Sequence, residues 1–170
     1  MDALDAKYGM RNQDLMTGLD NRTTALRNMC LSSAGLVIGS VSTAKVKIAN
    51  TVTYLSDGVF KSKTTAEVAF TTTTHNITAS ASAVQEACYL LTLASDGTPT
   101  LTMGTIATGS GASYLPSVPS GGTPIGYVRV AVAAGSTSFA ANSDALSAGH
   151  LTVTYVNLGG PVAPTFAAAL

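Results

Sequence analysis

The chain has 170 residues, enough for one ordinary domain with a core of its own, and 46 % of them are apolar while only 11 % are charged. Its acidic and basic side chains cancel to a formal net charge of zero, so no field gathers phosphates or holds an anionic bilayer, and neither nucleic acid nor membrane is expected as a partner. The apolar runs are far too short to span a bilayer, and the start, MDALDAKYGM, lacks the basic and apolar regions of a secretory leader.

Residues 1–31 read as an N-terminal arm. Asp2, Asp5, Lys7, Arg11, Asp14, Asp20, Arg22 and Arg27 give it close to half of the charges in less than a fifth of the length. Leu15, Met16, Leu19, Leu26 and Met29 fall near helical spacing, although Gly18 weakens a helix by ~1 kcal/mol relative to Ala. A short amphipathic helix or an extended arm is expected, with Leu15, Leu19 and Leu26 as candidate interface residues.

From Ser32 the composition turns to Ser, Thr, Ala, Val and Gly, and residues 32–158 read as a β domain. Lys45 and Lys47 alternate with Val46 and Ile48, a basic outer face over an apolar inner one. Thr51 to Leu55 and Val59 to Lys63 flank Ser56-Asp57-Gly58, a strong hairpin signal because Asp and Gly tolerate positive φ. Ala66 to Thr72 reads as a strand and Ser80 to Glu86 as a brief helical turn. A second hairpin is expected from Cys88 to Ala94, Ser95-Asp96-Gly97 and Thr98 to Met103.

The segment 105–124 (TIATGSGASYLPSVPSGGTP) is the longest Gly-, Ser- and Pro-rich stretch, and a loop of that length in a compact domain is usually functional or intersubunit. It carries the candidate interface residue Tyr114. Two runs follow, Ile125 to Ala133 and Leu151 to Leu158. In the first, Val128, Val130 and Val132 suit a core while Arg129, a further interface candidate, faces outward; in the second, Leu151, Val153 and Tyr155 alternate with Thr152, Thr154 and Val156. The tail, 159–170 (GGPVAPTFAAAL), ends in an apolar patch around Phe166 and Leu170, which is expected to lie on a neighbouring subunit.

Catalytic patterns are missing. His75 and His150 stand without an acid or nucleophile in a recognised arrangement and read as polar residues at strand ends. No zinc, phosphate-loop, calcium or nucleophile-elbow motif is present, and Gly109-Ser110-Gly111 reads as a turn. Cys30 and Cys88 fit no metal spacing and no disulfide framework, so two reduced thiols and synthesis in a reducing cytoplasm are expected. Of the β region's carboxylates, Asp57 and Asp96 are turn residues, which leaves Glu67, Glu86 and Asp144 as the few candidates for a paired acid and base, with Glu67 and Glu86 the pair an acid-base enzyme would be tested on. No cofactor, no metal and no catalytic residue are expected.

Thr64-Thr65-Ala66-Glu67-Val68-Ala69-Phe70, Val84-Gln85-Glu86-Ala87-Cys88-Tyr89-Leu90, Gly122-Thr123-Pro124-Ile125-Gly126-Tyr127-Val128-Arg129-Val130 and Leu146-Ser147-Ala148-Gly149-His150-Leu151 lie in a region, about Val52 to Leu158, that resembles small structural proteins of tailed bacteriophage virions. These are packing and turn motifs. The resemblance implies a capsid decoration (cement) protein on the virion surface, a homotrimer whose other partner is the major capsid protein, with the N-terminal arm as the capsid-binding or neighbour-linking piece. A head-fibre or tail-fibre module that attaches to host glycans is the alternative. Together these considerations predict a mainly β chain, an antiparallel sandwich or small barrel with a helical or extended N-terminal arm.

Overall fold

The computed structural model describes residues 26–159 together with Leu19 and Thr23. The candidate residues Leu15, Phe166 and Leu170, and the tail 160–170, lie outside the described residues. The chain is mainly β and its sheets are antiparallel. Leu19, Thr23, Leu26 and Arg27 have helical backbone, and the Thr23 hydroxyl donates to the Leu19 carbonyl at 2.8 Å.

Eleven strands follow: β1 (Met29–Cys30), β2 (Leu36–Ile38), β3 (Lys45–Ile48), β4 (Val52–Ser56), β5 (Val59–Lys63), β6 (Ala66–Ala69), β7 (Gln85–Leu93), β8 (Pro99–Met103), β9 (Ala107–Thr108), β10 (Thr123–Val132) and β11 (Leu151–Asn157). One long sheet runs β11-β10-β7-β8, with β9 also on β7. Two short sheets, β1-β4-β5 and β2-β3-β6, share its hydrophobic core, so the molecule is an antiparallel sandwich with one layer split in two. β1 falls in the segment read as arm: Met29 and Cys30 pair with Leu55 and Tyr54 of β4.

Alternation decides what is buried. Ala87, Tyr89, Leu91 and Leu93 of β7 and Val128, Val130 and Val132 of β10 face the core, where they meet Val46, Ile48, Val52 and Tyr54 of the short sheets. Leu151, Val153 and Tyr155 of β11 pack on its margin. A register shift between Pro124 and Gly126 puts Ile125 into the same core. Gly126 is required beside that bulge, because a Cβ there would meet Leu36 Cδ1 and stand 2.6 Å from the Val156 carbonyl oxygen.

The first hairpin turns on two residues with positive φ, Asp57 at 51° and Gly58 at 79°. The second turns differently: only Gly97 has positive φ, and the Asp96 carboxylate accepts from Thr98 N at 2.8 Å and Thr98 Oγ1 at 2.9 Å. Three sequence expectations need correction. Ser80 to Glu86 is not a helical turn, since Gln85 and Glu86 already pair with β10 and β9 as the start of β7. The strand from Ala66 ends at Ala69, after which 71–75 form a turn. His75, read as a polar strand-end residue, lies instead in that turn and is buried, with its ring against Phe70 and Tyr89. Its Nδ1 accepts from Thr71 N at 3.0 Å and its carbonyl from Tyr89 Oη at 2.7 Å, so burial is matched by hydrogen bonding.

Candidate functional site

Because β7 buries both its faces, something other than a short sheet has to cover the side away from the core. There Glu86, Cys88, Leu90 and Thr92 project, all almost fully buried. The cover includes the 104–122 segment. Gly104 N donates to the Cys88 carbonyl at 2.8 Å, β9 adds to the Gln85–Glu86 end of β7, and Gly109 N donates to Val84 O at 2.9 Å. At the far end Gly122 N donates to Pro119 O at 2.9 Å, and Thr123 Oγ1 reaches the Leu55 carbonyl at 2.8 Å.

The middle of the loop is held by one carboxylate. Gly109 and Gly111 take positive φ, 105° and 77°, and the turn they make aims main-chain donors inward. Gly111 N lies 3.0 Å from Glu86 Oε2, Ser113 N 3.3 Å and Ser113 Oγ 2.6 Å from Oε1, while Arg129 Nε stands 3.4 Å from Oε1. Cys88 Sγ is 3.1 Å from the same serine hydroxyl. Burial pushes the Glu86 carboxyl up, but the donors from Gly111 and Ser113 and the charge of Arg129 outweigh it and hold the group below the ordinary carboxylate range. The 109–113 segment therefore wraps a carboxylate that belongs to the chain itself, with Gly111 N and the Ser113 main-chain and hydroxyl groups as its donors.

Above this anchor the loop shows water its apolar side chains. Tyr114 is 81 % exposed, and Ile106, Leu115 and Val118 are exposed with it. Pro116 and Pro119 restrict the backbone between them. Arg129 and Tyr114, singled out separately in the sequence, are brought to one site, since Glu86 holds both the guanidinium and the residue preceding the tyrosine. Arg129 was expected to face outward or to serve an interface; about a third of its side chain is exposed, and its charge partner Glu86 lies within its own chain. Leu19 and Leu26 are exposed in the helical approach to β1 rather than on this loop. Sequence reasoning missed Glu86 and Ser113 as the anchor. The one available signal was a glycine pair in a long loop, which says that the backbone turns but not which acid it turns around.

Glu67 and Glu86, the pair considered for acid-base chemistry, are both engaged. Glu67 accepts from Val41 N at 2.6 Å and Ser42 N at 3.2 Å, tying down the 39–42 turn, and those bonds hold its carboxyl low. Neither of two clefts on the described surface pairs acids. One of about 350 Å³, between β6 and β8, is lined by Glu67 as its single acid; another of about 190 Å³ is lined by Asp57 as its single acid. Cys30 and Cys88 are free and buried. Among the described residues no three His, Cys, Asp or Glu side chains gather as a metal set. Comparison with protein-family models, with curated proteins and with solved structures finds no match.

Proposed function

We propose that the chain is a structural protein of a bacteriophage virion, a decoration protein that binds the outer capsid as a homotrimer and stabilises the shell. The observation that carries this reading is the anchored loop: Tyr114, Leu115 and Val118 stand in solvent on a backbone fixed from beneath by Glu86. An ordered apolar loop loses little entropy on docking, which favours association. The rest of the molecule fits the same use, because a charge content of 11 % leaves wide neutral surface that subunits and shell can cover. Individual contacts can be weak, since many copies docked at once raise the effective concentration of each.

The test is light scattering on the purified full chain, followed by its titration onto heads of the encoding phage prepared without it. A trimer mass, saturable binding, and binding weakened at least tenfold by Tyr114→Ser combined with Leu115→Ser are expected. A monomer at all concentrations that leaves the heads bare overturns the reading.

A further inference from the structure

Most outer strands of this sandwich are blunted. β1 and β2 have two and three residues, β6 carries Glu67, β5 carries Lys61 and Lys63, and β8 begins at Pro99. Short length, inward or outward charge and proline are the usual means of preventing edge-to-edge pairing. β11 uses none of them. It is the outer strand at the other end of the long sheet from β8, and its seven residues, LTVTYVN, include no charge and no proline.

The phase of its free hydrogen-bonding groups follows from the ladder with β10. Ala133 N donates to His150 O and Leu158 N to Ile125 O, and both pairs continue the register that sets Arg129 opposite Thr154. Hydrogen-bonded pairs alternate in an antiparallel ladder, so Thr152, Thr154 and Val156 direct their peptide groups at β10. Val153, Tyr155 and Asn157 direct theirs, with the Leu151 carbonyl, at the open edge; Leu151 N is occupied by Ala148 O. Among the described residues nothing pairs with that edge. The succeeding segment is poorly suited to it, because Pro161 and Pro164 fall on opposite parities and a strand spanning both turns one ring toward its partner.

We infer that β11 is a self-pairing edge, which joins two copies of this chain as an antiparallel β11–β11 ladder about a two-fold axis at Thr154. This register engages every outward group except the Asn157 carbonyl, whose opposite donor, Leu151 N, is already bonded to Ala148 O: Val153 faces Tyr155 of the second copy, and Leu151 faces its Asn157, for about six main-chain hydrogen bonds. The side chains are compatible. Thr154 meets its own copy, a favourable cross-strand pair, Thr152 meets Val156, and no like charges oppose each other. The contact joins two long sheets into one continuous sheet and is isologous, as a two-fold requires. It is independent of any three-fold contact and would tie one trimer to the next.

Cysteine scanning on the full chain tests the pairing. At the axis Thr154 is a non-hydrogen-bonded pair with Cα atoms ~4.5 Å apart, within disulfide range, whereas Thr152 lies opposite Val156 and has no symmetric mate. The native thiols are buried and do not compete. Under mild oxidation Thr154→Cys is expected to form a linked pair at least tenfold faster than Thr152→Cys. Thr154→Lys and Thr154→Glu should each weaken self-association about tenfold in sedimentation, and an equimolar mixture should restore it. Equal linking at 152 and 154, a Thr154→Cys chain that stays unlinked, as it would if residues 160–170 occupied the edge, or a mixture no tighter than its components overturns the inference. Loss of the trimer with β11 linking intact would instead count against the decoration reading alone.

Discussion

Glu86 shows how much one side chain can organise here. A buried carboxylate is costly unless its lone pairs are filled; here three protein donors fill them, and the Arg129 guanidinium adds an opposite charge at 3.4 Å without a hydrogen bond. Glu86→Gln keeps the shape but turns an amide NH₂ toward donors that want an acceptor. It also removes the charge facing Arg129, a smaller loss because that side chain is one-third exposed and solvent screens it. The expected cost is about 2 kcal/mol in urea unfolding, together with faster amide exchange at Gly111 and Ser113 than elsewhere in the long sheet. Ser113→Ala removes one donor of the same set and should cost about 1 kcal/mol. If Glu86→Gln leaves both the midpoint and the exchange unchanged, the loop is held by something other than this carboxylate.

Elements, rather than single residues, explain what was legible in advance. Alternation in 125–133 and 151–158 was enough to give two strands, the core-facing valines of the first and the two opposed faces of the second, because a side chain in a strand has only two directions to choose between. Asp57-Gly58 announced its hairpin because few residues accept two successive positive φ values. Alternation says nothing about what covers an outer face, so the 104–122 lid and its anchor were invisible, and the small residues of 80–86 resembled a helical turn until β9 and β10 claimed Gln85 and Glu86. The bulge at Pro124–Gly126 was equally hidden, and it sets a strong local requirement. In Gly126→Ala the new methyl meets Leu36 and the Val156 carbonyl, which is tied into the β10–β11 ladder and has nowhere to retreat. A loss of about 1–3 kcal/mol in urea unfolding is expected. Gly149→Ala, where nothing lies within 4 Å, is the control and should stay within about 0.5 kcal/mol. Equal behaviour of the two variants would mean that the sheet yields freely at the bulge.

At the scale of the whole molecule, a chain with few charges has its pH dependence set by a handful of buried groups. Burial lowers the affinity of His75 for a proton, and Phe70 and Tyr89 around its ring offer no compensating charge. Its folded value lies below the ordinary 6.5, so the unfolded chain binds the proton first and stability falls as pH drops from about 6.5 toward that folded value. Glu86, Glu67 and Asp96 are likewise held low by their hydrogen bonds and add further acid sensitivity below their ordinary values of 4.5 and 3.8. On the alkaline side the sign reverses. Burial raises Cys30, Tyr54 and Tyr89, and pushes Tyr155 up to about 12, so the unfolded chain loses these protons first, from about pH 9 to 10 upward, and stability declines there. A plateau between roughly pH 7 and 9 with a loss on either side is expected in urea unfolding. His75 alone can contribute at most about 1.4 kcal/mol per pH unit to the first part of the acid limb. Replacing it separates the contributions: His75→Gln should lower the plateau, since the aromatic cluster loses a packed ring, yet flatten the slope between pH 6.5 and 5 while leaving the carboxylate limb below 4.5 in place. An unchanged slope in that interval would mean that the buried imidazole is not what makes this sandwich sensitive to mild acid.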